Sequence, residues 1–300
     1  MGGLFSTTDA RATNAGKVVL VTGTSSGMGK EAVLKFHDAG WTVIATMRDP
    51  KKSDFSDLEN VDVMSLDVTD KSTIQEVVRN TIRKYGQIDA LINNAAYGSF
   101  GFLEETSDEE VNRTLNTNVI GVIDCIKEVV PHMRNQKKGI IISITSVGGL
   151  VGMPMCTLYH ASKFALEGLH ESLQFELAPF GIHVKTLAPG AFKTKFIDNI
   201  QLYQGNLKKD LKEHREAYFA WFKVASRELP PPFKFADPKE VGEKLYDMCM
   251  SPTSYALTTV VGNDARIVRF MLGFVGKSTF WKMNSKNLLP NTPLFSSQLK

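Results

Sequence analysis

An apolar run, a glycine-rich turn and a helical pattern in direct succession constrain the fold of this chain more than any other stretch. Residues 17–22 are typical of a buried strand, and residues 23–29 contain three glycines. Apolar residues at helical spacing then continue until Gly40. Glycines let a backbone approach a pyrophosphate, and a helix N-terminus offers free N–H groups and a positive dipole end. The stretch therefore predicts a dinucleotide phosphate loop, with an ordinary strand-to-helix turn as the alternative.

Strand and helix patterns alternate along the rest of the chain without a long linker. Further strands are predicted at 41–46, 61–66, 88–93, 139–146, 182–188 and 256–261. Helices are predicted between them at 71–85, 108–135, 157–179 and 239–250. Such alternation favours one α/β domain of the doubly wound Rossmann type, with a seven-stranded parallel sheet and helices on both faces. We assign residues 17–300 to this domain, after a flexible N-terminus at 1–16.

Composition argues against several classes of function. The formal net charge is only +3 and no Lys/Arg-rich run is present, so no nucleic-acid partner is expected. The three cysteines are odd in number and far apart, which favours reduced residues of a cytoplasmic protein over disulfides or metal ligands. No apolar run reaches the roughly 18 residues that a membrane-spanning helix needs.

Two terminal features bear on membrane contact. Residues 1–6 fit the loose pattern for N-myristoylation, with an unstructured start as the alternative. Residues 263–300 form a basic, aromatic tail that could lie on a membrane surface. We favour the alternative in which this tail caps the sheet edge or a partner subunit, so peripheral membrane association is the less favoured prediction.

Polar side chains follow the predicted strands at the sheet edge where open α/β proteins bind ligands. Arg48 comes first after the second strand and would pair with the 2′-phosphate of NADP, to which Ser26 could add a hydrogen bond. Asp49 would instead favour the free 2′-hydroxyl of NAD. We favour NADP(H), with NAD(H) as the alternative. Asp67 either accepts from an adenine amino group or caps the next helix, for which Asp70 is better placed.

A phenol and an amine share one helix face further along the chain. Tyr159 and Lys163 stand four residues apart, and Ser146 ends the β-branched apolar run before them. This is a plausible acid/base site. Asn118 lies inside a predicted helix, where asparagine is a poor helix former. It is either a polar surface residue or one that distorts the helix and presents a carbonyl to water.

These residues together resemble the short-chain dehydrogenase/reductase family over about residues 17–262. The motifs that carry the resemblance stand in the family's order and spacing at 22–29, 67–68, 93–96, 118, 146, 159–163 and 189–194. The sequences TGTSSGMG, ATMRDP and YHASKFALEG are most similar to the branch that holds 17β-hydroxysteroid and retinol dehydrogenases. Ala96 and Met28 depart from the glycine and isoleucine usual in the family, and Ala96 could crowd the nicotinamide ribose.

The resemblance implies a catalytic set of Asn118, Ser146, Tyr159 and Lys163. Tyr159 would be the general acid in reduction and the base in oxidation, with its pKa lowered by Lys163 and an oxidised nicotinamide. Ser146 would hydrogen-bond the substrate carbonyl, Lys163 would hold the ribose hydroxyls, and Asn118 would hold a water that links Lys163 to solvent. No metal is needed, because the cofactor supplies the hydride. The implied cofactor-binding residues are Gly23, Ser25, Ser26, Gly27, Met28, Gly29, Arg48, Asp67, Val68, Asn94, Ala95, Tyr159, Lys163, Pro189, Gly190 and Thr194.

The resemblance also implies a helical substrate lid after the sixth strand, at about residues 191–235. Its many aromatic residues suggest a ketone, aldehyde or alcohol substrate on a steroid-, retinoid-, lipid-like or aromatic skeleton. A homodimer or homotetramer is expected by the same resemblance. The alternatives are an NAD-preferring alcohol dehydrogenase and a non-catalytic protein that senses NADP. The predicted substrate-binding residues are Ser146, Met153, Met155, Phe192 and Phe196.

Overall fold

Seven parallel strands form the central sheet of this computed structural model, which describes residues 16–196, 200–203, 212, 215–216 and 235–288. The sheet order is β3-β2-β1-β4-β6-β7-β9, and β5 pairs with β8 in a separate two-stranded sheet. Within the described ranges the strands are β1 Val18–Thr22, β2 Thr42–Met47, β3 Val61–Ser65, β4 Ala90–Asn93, β5 Ser99–Phe100, β6 Gly139–Ile144, β7 Ile182–Pro189, β8 Gln201–Leu202 and β9 Thr258–Val261.

Helices connect the strands of the central sheet. They are α1 Gly27–Asp38, α2 Lys71–Tyr85, α3 Asp108–Leu115, α4 Gly121–Gln136, α5 Thr157–Leu177, α6 Lys239–Met250 and α7 Asn263–Leu288. A π-helical turn at Asn116–Ile120 joins α3 to α4, and Gly276 interrupts α7 with a φ of 76°. Asp70 caps α2 by accepting from the Ser72 N–H at 2.9 Å, as the sequence predicts.

The sheet separates two hydrophobic cores, because successive side chains of a strand point to opposite faces. Val19 and Val21 of β1 belong to the core that includes residues of α1 and α6. Val18 and Leu20 belong to the core that includes residues of α2, α4 and α5. A strand buried on both faces is mostly apolar, which is why 18–21 is a continuous apolar run.

The predicted fold is confirmed, since all seven predicted strands lie in one parallel sheet with helices on both faces. The sheet order reverses between β1 and β4, so a crevice opens at their carboxyl ends. Three features differ from the prediction. The small sheet of β5 and β8 was too short to be recognised by periodicity, the tail contains the unpredicted helix α7, and the strand at 139–146 ends at Ile144.

Most of the predicted lid at 191–235 lies outside the described residues, as do residues 1–15 and 289–300. The described parts of the lid are held at both ends. Ala191 and Ala236 meet through a backbone hydrogen bond of 3.0 Å, and Tyr203 donates its N–H to Phe100 O at 2.9 Å. Among the described residues, no helix is long and apolar enough to cross a membrane.

Candidate active site

The glycine-rich turn lies at the carboxyl end of β1 and leads directly into α1. Gly23 has a φ of +71°, and a Cβ there would lie 2.8 Å from Ala95 Cα. Gly27 has a φ of +59° and would bring a Cβ within 3.1 Å of Thr194 Cβ. Ser26 is the N-cap residue of α1, yet its hydroxyl makes no capping hydrogen bond. The first N–H groups of α1 therefore face the crevice without a side-chain acceptor.

Asn94 holds this turn in place rather than facing a ligand. Its side-chain amide donates to Thr22 O at 2.9 Å and to Gly23 O at 2.8 Å. The backbone N–H groups of Asn94 and Ala95 both donate to the Thr22 hydroxyl. A Cβ on Gly29 would collide with this same amide. The Asn94 amide is thus bound to the phosphate turn, and the contact of Asn94 with a cofactor stays a prediction.

Arg48 and Asp49 follow β2 at the same edge of the sheet, and both are exposed. The Asp49 carboxylate accepts from the Lys51 N–H at 3.2 Å and lies 3.4 Å from Lys52 Nζ. Arg48 forms no ion pair within the part of the chain that the structure describes. Its guanidinium is therefore the available charge beside the glycine-rich turn.

Asp67 and Val68 follow β3. Asp67 Oδ1 accepts from the Thr69 N–H at 2.9 Å and from the Thr69 hydroxyl at 2.7 Å, so the carboxylate is oriented by a local turn. Val68 is buried, and its carbonyl would lie 2.6 Å from a Cβ on Gly121. Val68 is thus held in place by the start of α4, and Asp67 is held by Thr69.

Tyr159 stands in the first turn of α5, among aromatic rings. The centroid of its ring lies 5.9 Å from that of Phe100, in an edge-to-face arrangement, and 5.7 Å from that of Phe196. The Ser146 side chain lies close enough to the Tyr159 phenol to lower the pKa of that phenol. Ser146 also accepts from the Gly148 N–H at 3.0 Å, which orients its hydroxyl at the end of β6.

Burial raises the pKa of Tyr159 to about 12, and the hydrogen bond from Ser146 only partly offsets this rise. The apolar surroundings of the phenol disfavour the phenolate and raise the pKa in the chain alone. A pKa lowered by Lys163 and an oxidised nicotinamide together stays a prediction. Lys163 does not reverse this effect, since its Nζ lies 5.7 Å from the centroid of the Tyr159 ring and is bound elsewhere.

Lys163 is only 3% exposed and donates from Nζ to Ile144 O at 2.9 Å. Burial lowers its pKa to about 8, and the negative charge of Glu167 works in the opposite direction. Glu167 lies one helical turn beyond Lys163. Its Oε2 accepts from the hydroxyls of Thr186 at 2.9 Å and Thr258 at 2.7 Å, which ties α5 to β7 and β9.

Asn118 lies in the π-helical turn and is 1% exposed. The helix distortion that its sequence position predicts is therefore present. Its Oδ1 accepts from the Tyr97 N–H at 2.7 Å, and its Nδ2 donates to Tyr97 O at 2.9 Å and to Ser162 Oγ at 3.0 Å. Ser162 in turn donates to Tyr159 O at 2.7 Å. The Asn118 side chain is thus committed to protein partners, and any water would have to be held by its backbone carbonyl.

The end of β7 is fixed by Asp264 at the start of α7. The Asp264 carboxylate accepts from the Ala191 N–H at 2.6 Å, and a Cβ on Gly190 would collide with it. Phe192 is 4% exposed and belongs to the hydrophobic core that contains Val261. Its ring lies in that core, and its role in substrate binding stays a prediction.

The two methionines of the predicted pocket differ in environment. Met153 is 43% exposed, whereas Met155 is buried and has a φ of +60°, a conformation rare for a residue with a side chain. Met155 O accepts from the Gly101 N–H at 2.8 Å, so the loop before α5 is held against β5. The structure thus brings the Met155 backbone beside the strand that carries Phe100.

Four residues at this site were not predicted from the sequence. Tyr97 clamps Asn118 through its backbone, Ser162 links Asn118 to Tyr159, Phe100 contacts the Tyr159 ring, and Glu167 influences Lys163. Glu167 could have been found from the sequence, because it stands four residues after Lys163 and therefore on the same helix face. The other three contacts depend on how distant elements meet.

Comparison with known proteins identifies the class to which this site belongs. A family model described as short chain dehydrogenase matches residues 17–204. A 3-ketodihydrosphingosine reductase of Bacteroides thetaiotaomicron is 36% identical over 212 residues, which is 71% of this chain and 77% of that protein. A 3-oxoacyl-(acyl-carrier-protein) reductase of Thermotoga maritima is 33% identical over 261 residues, which is 84% of this chain and 98% of that protein.

Comparison with solved structures points to the same family. A short-chain dehydrogenase from Streptomyces avermitilis superposes with a TM-score of 0.74 at 29% identity, covering 90% of this chain and 99% of that one. ElxO with NADP bound superposes with a TM-score of 0.68 at 29% identity, covering 82% and 96%. The chain therefore belongs to the short-chain dehydrogenase/reductase family. It is an oxidoreductase of carbonyl and alcohol groups that uses a nicotinamide dinucleotide, and its branch within the family stays a prediction.

Proposed function

We propose that this protein is an NADP(H)-dependent reductase of apolar ketones or aldehydes, with Tyr159 as the proton donor. The observation that carries the proposal is the placement of the Tyr159 phenol against Ser146, between the rings of Phe100 and Phe196. A reacting carbonyl next to this phenol would meet two hydroxyl groups and an apolar wall.

The residues of the chain fit a dinucleotide at the crevice. The positive-φ glycines Gly23 and Gly27 and the uncapped start of α1 suit a pyrophosphate, and Lys163 offers a buried amine beside Tyr159. A bound nicotinamide would supply the hydride. The side chains of the protein would carry out the proton transfer.

Tyr159 would give its phenolic proton to the substrate oxygen while Ser146 donates a hydrogen bond to the same oxygen. A pKa of about 12 keeps the phenol protonated at neutral pH, so the side chain is ready to act as an acid. The reverse reaction needs the phenolate, which burial disfavours. We therefore infer that reduction is the direction for which the chain alone is prepared.

Lys163 would hold the ribose and return a proton towards Tyr159. Its pKa of about 8 lies within reach of neutral pH, so the amine can exist in both charge states under working conditions. Ser162 and Asn118 fix the first turns of α5, from which both Tyr159 and Lys163 project. Their role is to hold the acid and the amine in one geometry.

The preference for NADP(H) is supported by the charges that follow β2. The Asp49 carboxylate is engaged with Lys51 and Lys52, while Arg48 and the Ser26 hydroxyl remain available for a 2′-phosphate. We expect Arg48→Ala to weaken NADPH binding at least about tenfold and to leave NADH binding nearly unchanged. Arg79→Ala, at an exposed arginine of α2, is the matched control.

The apolar substrate is supported by the walls of the site and by the lid. Phe100 and Phe196 lie against the Tyr159 ring, and the buried Tyr203 is held by a hydrogen bond of 2.8 Å between its hydroxyl and Ser99. Two relatives bear the names of a 3-ketodihydrosphingosine reductase and a 3-oxoacyl-(acyl-carrier-protein) reductase, both of which denote ketone substrates. We therefore expect ketones on lipid-like or polycyclic skeletons to be preferred over sugars and short hydroxy acids.

Substrate and chemistry are tested together by NADPH absorbance with a panel of apolar and polar carbonyls. We expect turnover of apolar members, and Tyr159→Phe should bind NADPH normally but lose at least about a hundredfold in kcat. Turnover confined to small polar carbonyls would overturn the substrate class. Turnover by Tyr159→Phe near that of the natural protein would overturn the role of the phenol.

A homodimer or homotetramer through the faces of α4 and α5 is proposed from the family and supported by exposed apolar side chains there. Ile120 is 46% exposed just before α4, and Phe175 on α5 is largely exposed in the single chain. Light scattering after size exclusion tests this assembly, and a monomer at all concentrations would refute it. A cytoplasmic location remains a prediction for cell fractionation.

A further inference from the structure

The helix α7 carries two strongly exposed phenylalanines one turn apart. Phe270 is 69% exposed and Phe274 is 79% exposed, and their rings stack with centroids 6.0 Å apart and planes 7° apart. The structure describes every side chain from 266 to 280, and none of them is buried. Seven of the ten residues from 266 to 275 are nonetheless apolar. Exposed contiguous apolar surface of this kind marks an interaction site.

The charged residues of the chain after Asp264 all have one sign. Residues 265–300 contain six lysines and arginines and no aspartate or glutamate. Arg266, Phe270 and Phe274 recur at spacings of four residues, so a cation precedes the aromatic pair along one helix face. Lys277 follows the pair directly after the interruption at Gly276. Arg269 and Lys277 also contact the body of the protein, through Thr258 O at 2.9 Å and the Phe164 ring at 4.2 Å.

We propose that α7 docks on an anionic lipid surface, with Phe270 and Phe274 in the headgroup and acyl boundary and the flanking cations near lipid phosphates. A helix with an aromatic surface and Lys/Arg beside it is suited to lie in the plane of the interface. A second copy of this chain is the weaker occupant. In a two-fold contact the same surface meets itself, so the cations of one helix would face those of the other.

The position of α7 in the fold gives such docking a consequence for the enzyme. The helix begins at Asp264, which binds the Ala191 N–H at the carboxyl edge of the sheet. The loop that starts there carries Thr194 and Phe196, which approach Gly27 and Tyr159. A docked α7 would therefore bring the mouth of the candidate active site towards the lipid. The docking itself does not rest on the proposed function, because it is measured without substrate or cofactor.

The test is co-sedimentation of the full, non-acylated chain with vesicles, which removes any contribution from acylation at residues 1–6. We expect binding to vesicles with about 30% phosphatidylserine in phosphatidylcholine and little binding to pure phosphatidylcholine. The double variant Phe270→Ser with Phe274→Ser should lower the partition coefficient at least about tenfold, and Arg266→Gln should lower it by a smaller factor. Added salt should weaken binding of the natural chain.

The matched control is Phe180→Ser. Phe180 is 40% exposed and lies 5.8 Å from the Arg134 guanidinium, so it also pairs an aromatic ring with a cation. It stands just before β7, at the opposite edge of the sheet from the start of α7, and should bind vesicles as the natural chain does. Circular dichroism melting checks that each variant is folded.

Equal binding to both kinds of vesicle, or unchanged binding by the folded double variant, would overturn the proposal. A double variant that loses self-association while the natural chain ignores lipid would overturn it in favour of a second copy.

Discussion

Removing the buried ammonium of Lys163 should change how stability depends on pH. Burial lowers the pKa of Lys163 from 10.5 to about 8, so in this interval the unfolded chain binds the proton that the folded chain has released. Stability conferred by this residue therefore rises as the pH rises from 8 to 10.5. Below pH 8 the lysine is charged in both states, and the full cost of burying the charge is present.

The magnitude follows from the size of the shift. Each pKa unit corresponds to about 1.36 kcal/mol, so a shift from 10.5 to about 8 corresponds to about 3 kcal/mol in total. Integrated between pH 7 and pH 10, the expected change is about 2.5 kcal/mol. Lys163→Met keeps most of the side-chain volume and cannot titrate. The free energy of unfolding of the natural chain should thus gain about 2.5 kcal/mol relative to Lys163→Met over this range.

Urea unfolding of both proteins at several pH values, without cofactor, measures this difference. Other titrating groups contribute equally to both proteins, so the difference isolates Lys163. The hydrogen bond from Nζ to Ile144 O adds an offset that does not depend on pH. Lys84→Met is the matched control. Its partner Asp62 raises the pKa of Lys84 to about 12, so its contribution is constant below pH 10 and is lost only at higher pH. A difference for Lys163→Met that stays flat from pH 7 to 10 would refute a desolvated amine at this position.

Two further predictions concern the geometry behind the site. Asn94→Ala removes the two hydrogen bonds that the amide donates to Thr22 O and Gly23 O. It should lower the free energy of unfolding in urea by about 1–3 kcal/mol and raise the Kd for NADPH in a fluorescence titration. An unchanged Kd would show that the turn keeps its shape without this amide. Gly121→Ala places a Cβ 2.6 Å from Val68 O and should cost about 1–3 kcal/mol, whereas Gly168→Ala in α5 meets nothing within 4 Å and should stabilise by about 0.5–1 kcal/mol. Equal effects of the two alanines would contradict the close contact at Gly121.

The fold was predictable because its signals are local. A parallel sheet buried on both faces requires continuous apolar strands, and 18–22 and 139–144 show that composition directly. Asp70 and Gly86 mark the ends of α2 by their own backbone and side-chain chemistry. The pairing of β5 with β8 escaped prediction because two residues carry no periodicity and the partner is about a hundred residues away.

For the candidate site, too, local patterns were predictable and contacts between distant residues were not. The order of motifs and the class of enzyme follow from short patterns at strand ends, whose location at one sheet edge is a property of parallel topology. The side-chain partners do not follow from pattern. The position of an amide just after β4 predicts a ligand contact. The Asn94 side chain is instead bound to Thr22 and Gly23, because Gly29 lets α1 approach Asn94 closely. Phe192 likewise enters the core because Gly262 leaves room for its ring.

Tyr159 and Lys163 illustrate why a motif does not by itself give an electrostatic state. The helix spacing predicts that an amine near a phenol lowers the pKa of the phenol, which holds only if the ammonium outweighs desolvation. Here both groups are desolvated, so the pKa of the acid rises to about 12 and the pKa of the amine falls to about 8. Both shifts favour neutral forms. A neutral phenol can act as the acid in reduction. Oxidation requires the phenolate, which the lowered pKa of the neighbouring Lys163 makes harder to stabilise by charge. We therefore propose that the burial which makes the site apolar favours Tyr159 as the acid of reduction.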